Sequence, residues 1–172
     1  MTTPVFSEEP HVLPDKALYR YTDAFLIAFV VWREARGESP AGRIAVGYSI
    51  LNRVAHPSWW GMTVPSVVAK PLQYSSLTAG GDANLTLYPT GYTSDWFQCL
   101  QVGFDVVDGK VQNPVPDADS YYATSMKTPP DWADPVIFKK RTGKDLIFVG
   151  QIGHHRFYNT DGRHPENVKG VV

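Results

Sequence analysis

The stretch Ala24-Phe25-Leu26-Ile27-Ala28-Phe29-Val30-Val31-Trp32-Arg33-Glu34-Ala35-Arg36-Gly37-Glu38-Ser39-Pro40 joins two helices and sets a carboxylate at the end of the first. Its opening run, Ala24 to Trp32, is nearly devoid of polarity and needs a buried face. A helix is expected to begin near Thr22 or Asp23, either able to cap it, and to end at Gly37, which can take the left-handed C-terminal turn. Ser39 as N-cap and Pro40 at the first helical position start a second helix. Glu34 lies one turn beyond Val30 and Val31 and two turns beyond Ile27, so it shares their inward face. Burial penalises the charged form and raises a carboxyl pKa, which keeps a glutamic acid protonated near neutrality and able to act as a general acid. Arg33 and Arg36 would oppose this if either turned towards Glu34. Helical spacing puts both on other faces, so desolvation is expected to win.

Working outward, the second helix shows an inner stripe of Ile44, Tyr48, Leu51 and Ala55, widened by Val46 and Ile50 and stopped by Pro57. Residues 56–61 read as a loop, and a short helix is expected around Pro65 to Lys70. Gln73 to Tyr88 shows little period and reads as irregular or as a short hairpin. A third helix is expected from Ser94 to Val107, with Trp96, Leu100, Phe104 and Val107 as its stripe and Asp108-Gly109 as its end. Residues 120–124, 146–149 and 156–158 suit short strands. The reading is α+β, a mainly helical core with a small β element. It divides into an extended arm (1–18), one domain (19–159) and a loose tail (160–172).

At 172 residues the chain can bury a core without disulfides or metal. Hydrophobic residues make up 43% and charged residues 19%, which excludes a disordered chain. The formal net charge of −1, with no basic stripe, argues against nucleic acid and against a charged membrane surface. Cys99 is the single cysteine, so no internal disulfide can form; within an apolar helix its expected job is packing. The polar N-terminus does not read as a secretion signal, and the run from Ala24 to Trp32 is too short to span a bilayer. A soluble protein made in a cytoplasm is therefore expected, and nothing demands more than a monomer.

Three blocks carry a resemblance. Glu34-Ala35-Arg36-Gly37-Glu38, continued by Gly42-Arg43-Ile44-Ala45-Val46 and Ile50-Leu51-Asn52-Arg53-Val54, is followed in order by Gln73-Tyr74-Ser75 and by Gln151-Ile152-Gly153-His154-His155-Arg156-Phe157-Tyr158. Together they resemble the SleB/CwlJ-like cell wall hydrolase family over roughly residues 22–159. The resemblance implies a lysozyme-like α+β fold and cleavage of the peptidoglycan glycan strand between N-acetylmuramic acid and N-acetylglucosamine. It also maps the lone catalytic acid of lytic transglycosylases onto Glu34; no cofactor is expected. Without the secretion signal or wall-binding repeat usual in spore-cortex members, the chain looks like a phage endolysin that a separate pore-forming holin lets through the membrane to the wall.

One carboxyl acting as acid and then as base would leave 1,6-anhydro ends. The rival is lysozyme-type hydrolysis with a second carboxylate, for which Glu38, Asp82 and Asp95 are candidates. Glu38 can equally serve the positive end of the second helix. Gln73 and Ser75 are expected to line the cleft, or else to satisfy their own turn. Tyr121 and Tyr122 alternate across a strand, so one should face the core and the other the sugars; Tyr122 is the preferred cleft residue, and Tyr121 is kept as a substrate-binding candidate beside it. Trp59, Trp60, Trp96 and Trp132 could all stack on sugars; packing is the expected job of Trp96, and Trp59 and Trp60, in a proline-bounded loop, are the better surface candidates. Asn52 and Arg53 either brace the second helix or touch substrate. His154 and His155 point to opposite sides of a strand and cannot easily chelate one ion, so no metal is expected and activity should survive exhaustive chelation. A wall-binding or virion module that kept the fold and lost the chemistry is the reading from another class; an unrelated small-substrate enzyme is a third.

Overall fold

The apolar run forms the middle of helix α1, Asp15–Ala35, in the computed structural model, which describes residues 15–162 apart from 72, 79–81 and 91–92. Ile27, Val30 and Val31 on this helix have no exposed surface; burying each contributes about 1.5–3 kcal/mol. The helix starts earlier than expected because nothing between Asp15 and Thr22 breaks it: Lys16, Ala17 and Leu18 are all good helix formers. Thr22 does not cap. Its hydroxyl donates back to the Leu18 carbonyl at 3.0 Å. The end of the expected arm is thus helical, and residues 1–14 lie outside the described part.

Helix α2, Pro40–Ala55, begins as expected, with the Ser39 hydroxyl accepting from the Gly42 N–H at 3.3 Å. Its buried stripe is one residue round from the expected one: Ala45, Val46, Ser49, Ile50 and Arg53 are inside, whereas Ile44, Tyr48 and Leu51 are partly buried and Ala55 is exposed. The partly buried Ile44, Tyr48 and Leu51 pack against the outside of the core cluster. The short helix α3, Val64–Val68, is capped reciprocally by Thr63 and Ser66. Residues 73–88 form no hairpin among the described residues; they hold the short helix α4, Ser75–Thr78, followed by turns.

Helix α5, Ser94–Val107, matches its expected span. Its innermost residues are Cys99, Val102, Gly103 and Val106, while Trp96, Leu100, Phe104 and Val107 flank them. The shift has a visible cause: α1 crosses α5 at Gly103, where an added Cβ would stand 2.2 Å from the Ala24 carbonyl oxygen. Backbone approaches that closely only where the side chain is missing.

Strands β1 (Ser120–Ala123), β2 (Ile147–Ile152) and β3 (His155–Asn159) form an antiparallel sheet in the order β1-β3-β2, with Tyr121 opposite Phe157. Before β2 comes helix α6, Pro135–Thr142, which the reading of this region as short strands missed. Its signals are present: Asp134 accepts from the N–H groups of Val136 and Ile137 at 2.8 and 2.9 Å, Pro135 opens the helix and Gly143 closes it. Thr160, assigned to the tail, belongs to the fold, since its N–H donates to the buried Asp119 carboxyl at 2.9 Å. The architecture is mainly helical with a small three-stranded antiparallel sheet.

Candidate active site

The last turn of α1 delivers Glu34 into a cleft of about 780 Å³ bounded by α4, the loop around Trp59 and Trp60, and strand β1. The Ser76 hydroxyl donates to one carboxylate oxygen, and the Tyr121 hydroxyl donates to the other at 3.4 Å. Burial pushes the Glu34 carboxyl above its ordinary range. The Ser76 hydrogen bond pulls it back, the negative charge of Asp82 pushes it up again, and the contact with Tyr121 lowers it slightly; the net direction is up. Tyr121 itself is raised well above its ordinary value by burial and by Glu34, so it stays a neutral phenol able to donate.

Neither neighbouring arginine reaches Glu34. Arg33, 5% exposed, donates to the carbonyl oxygens of Ser76, Leu85 and Leu87 at 2.5, 3.0 and 2.7 Å and stacks over Phe29 and Tyr88. It thereby pins the irregular segment that the sequence pattern left without a partner. Arg36 lies over the Trp32 ring and donates to Asn84 Oδ1 at 3.1 Å. The carboxylate therefore gains no direct cation.

The cleft collects several of the expected residues. Gln73, Ser75, Tyr121 and Tyr122 all line it. The two tyrosines reach the cleft from opposite faces: Tyr121 touches Glu34, while Tyr122 turns to the other side of edge strand β1 and stacks on Tyr158 with Trp132 edge-on. A protein-facing side does not exclude a cleft-facing one here, because the cleft wraps around the free edge of β1. Ser75 donates to Asp82 Oδ2 at 2.5 Å, and its neighbour Ser76 makes the contact with Glu34. Ser76 was missed because α4 was not anticipated; one helical turn points residue 76 inward. Trp59 is 61% exposed as expected, whereas Trp60 is 2% exposed and donates to the Arg53 carbonyl at 3.0 Å.

Of the candidate second carboxylates, Glu38 is committed elsewhere. It accepts from the His154 N–H and faces His154 Nδ1, both at 3.0 Å, and so ties the β2–β3 turn to the α1–α2 junction. Asp95 accepts from the Trp32 indole at 3.0 Å. Asp82 is held by Ser75 and by the Asn84 N–H, which keep its carboxyl below the ordinary aspartate range. Asn52 braces the fold, donating to the carbonyls of Val115 and Ala118 at 2.9 and 2.8 Å. His155 is buried and packs edge-on against Tyr121 with centroids 5.1 Å apart; His154 faces outward. Among the described residues no three His, Cys, Asp or Glu side chains gather as a metal site. Nor is any described helix long and apolar enough to cross a membrane.

A sequence profile for cell wall hydrolases matches residues 37–158, well over half of the chain. The chain belongs to the cell wall hydrolase family. Glu34 lies just before the matched span, so its place in the site rests on geometry rather than on the profile. Two solved members of the fold illustrate how this hydrolase chain is built. The catalytic domain of the Bacillus cereus SleB protein is 24% identical, with a TM-score of 0.57, covering 88% of this chain and 98% of that one. The catalytic domain of the germination-specific lytic transglycosylase SleB from Bacillus anthracis is 23% identical, with a TM-score of 0.57, covering 87% and 98%. At these identities the likeness shows a shared fold. No curated protein matches the chain.

Proposed function

We propose that this cell wall hydrolase is a peptidoglycan lytic transglycosylase in which Glu34 acts first as acid and then as base. The observation that carries the reading is the Glu34 carboxyl, raised by burial and held by two hydroxyl donors, at the wall of an open cleft. Protonated Glu34 donates to the glycosidic oxygen as the bond from muramic acid C1 breaks and positive charge develops there. The carboxylate so formed takes the proton of the same sugar's C6 hydroxyl, whose oxygen closes on C1. Glu34 ends protonated, and no water is consumed. Ser76 and Tyr121 stabilise the carboxylate in the middle of the cycle. Gln73, Ser75, Tyr121 and Tyr122 are the proposed sugar contacts.

A specific observation favours a second reading, hydrolysis with Asp82 as base. Its ionised carboxylate is close enough to raise Glu34 and is held through Ser75, next to Ser76. Mass spectrometry of the released muropeptides separates the two. Anhydro ends, one water lighter than reducing ends, are expected; reducing ends alone would replace the transglycosylase by the hydrolase. Glu34→Gln is expected to lower turnover by about 10²–10⁴-fold, the range typical of general acid–base catalysis. Purified sacculi should clear on addition of the protein, and binding without clearing would instead favour a non-catalytic wall-binding module. The endolysin role is an expectation from the sequence, tested by finding a pore-forming lysis gene beside this one.

A further inference from the structure

Building on the glycan-cleaving reading, we infer that Arg53 is a specificity residue whose guanidinium donates to an amide carbonyl oxygen of the bound strand. Arg53 sits on the buried stripe of α2 and is only 5% exposed, yet it lines the same cleft as Glu34 and Tyr121. Its Nε donates to the Asp119 carbonyl oxygen at 2.6 Å, and its plane lies near the rings of Tyr74 and Trp60, 5.2 and 5.8 Å from their centroids. These contacts fix the group without satisfying it. Nη1 is buried and has no hydrogen-bond partner among the described residues.

Asp119 is the nearby countercharge, but its carboxylate receives Ser120 Oγ and the N–H and Oγ1 of Thr160 rather than Arg53. A guanidinium is always charged and carries five donors, and folded proteins rarely leave a buried donor unmatched. The missing acceptor is therefore expected from whatever fills the cleft. On a peptidoglycan strand the strong neutral acceptors are amide carbonyls, either the 2-acetamido oxygen or the lactyl–peptide oxygen on muramic acid. Both share one chemistry, and the test tells them apart.

Arg53→Lys keeps the charge and shortens the fork. Its kcat/KM should be compared with that of the wild type on three substrates: intact strands, N-deacetylated strands, and strands whose peptides an amidase has removed, leaving a lactyl carboxylate. The expected penalty on intact strands is about 10–100-fold, the range for a lost hydrogen bond to a charged group. A penalty that vanishes on deacetylated strands assigns the acetamide, and one that changes only on peptide-free strands assigns the lactyl group. An equal penalty on all three is what damage to α2 alone would produce, and it would overturn the proposal. Should Arg53→Lys not fold, a crystal structure of Glu34→Gln with a glycan tetramer decides. An amide oxygen about 3 Å from a terminal nitrogen of Arg53 supports the contact, and a tetramer bound across Glu34 without it removes the proposal. Reducing rather than anhydro product ends would end the transglycosylase reading and leave this comparison unaffected, because a hydrolase must hold the same sugars.

Discussion

Glu34 stands where two opposing influences meet. Withdrawal from water raises its carboxyl, and the Ser76 hydroxyl lowers it. A general acid works only while protonated, so activity should fall as pH rises through the pKa of Glu34. Ser76→Ala removes a donor that favours the carboxylate, which raises the pKa further. The alkaline limb of kcat/KM is therefore expected to move to higher pH, and a limb unmoved or moved downward would separate Glu34 from the titration. Tyr121→Phe should act in the same direction more weakly, since its contact is the longer and lesser one. Much of this was legible in the chain, because Val30, Val31 and Glu34 share a helical face whatever packs against it. The identity of the hydroxyl partner was not. Ser75 and Ser76 differ only in which side of a four-residue helix they occupy.

Two contacts decide how the elements meet. Gly103 lets α5 lie against the backbone of α1, so Gly103→Ala must push the helices apart. Overpacking of this kind costs about 1–3 kcal/mol, and Tm is expected to fall by roughly 2–12 °C in a melt followed by circular dichroism. The second contact is the Glu38 clamp on the β2–β3 turn. Gly153 there has φ +56°, and an added Cβ would stand 2.1 Å from Glu38 Oε2. Burial tends to raise the Glu38 carboxyl, but the N–H and side chain of His154 outweigh it and hold the pKa below the ordinary range. A depressed carboxyl stabilises the fold above its unfolded pKa and loses that contribution as pH falls through its folded one. Glu38→Gln is expected to lose about 0.5–1.5 kcal/mol in urea melts at neutral pH, since the amide keeps an acceptor for the His154 N–H but loses the charge. The gap to the wild type should narrow on acidification below the glutamate range. A gap that widens would mean that Glu38 is not held as a carboxylate. Cap chemistry at Ser39-Pro40 predicted the start of α2 correctly, and the pattern of apolar residues predicted α5. That pattern misplaced the inner stripes of both helices, because the side of a helix that is buried deepest depends on which neighbours it has.

At the scale of the molecule, the cleft runs from Glu34 past the free edge of β1 to Trp132, Phe138 and Lys144. A strand long enough to reach Trp132 should gain affinity there that a short one cannot. Trp132→Ala is expected to lower kcat/KM on long glycan by roughly 2–10-fold, the worth of one aromatic contact, and to leave a short oligomer unaffected. Equal losses on both would place Trp132 in packing alone, where it already meets Tyr122 and Tyr158. Helix α6, which supplies Phe138 to this wall, carries cap signals at Asp134, Pro135 and Gly143 that could have been read but lie in a proline-rich, weakly periodic stretch. By itself the sequence determined the local matters: a helix that buries Ile27, Val30 and Val31 must carry Glu34 inward, and Ser39-Pro40 must start the next helix. These follow from 3.6-residue periodicity and cap chemistry, which need no distant partner. Tertiary structure alone decided that Ser76 and Tyr121 meet Glu34, that Glu38 is drawn away to His154, and that Arg53 reaches the cleft with a donor to offer. Those residues are far apart along the chain, and no local preference encodes which of them come to share one wall.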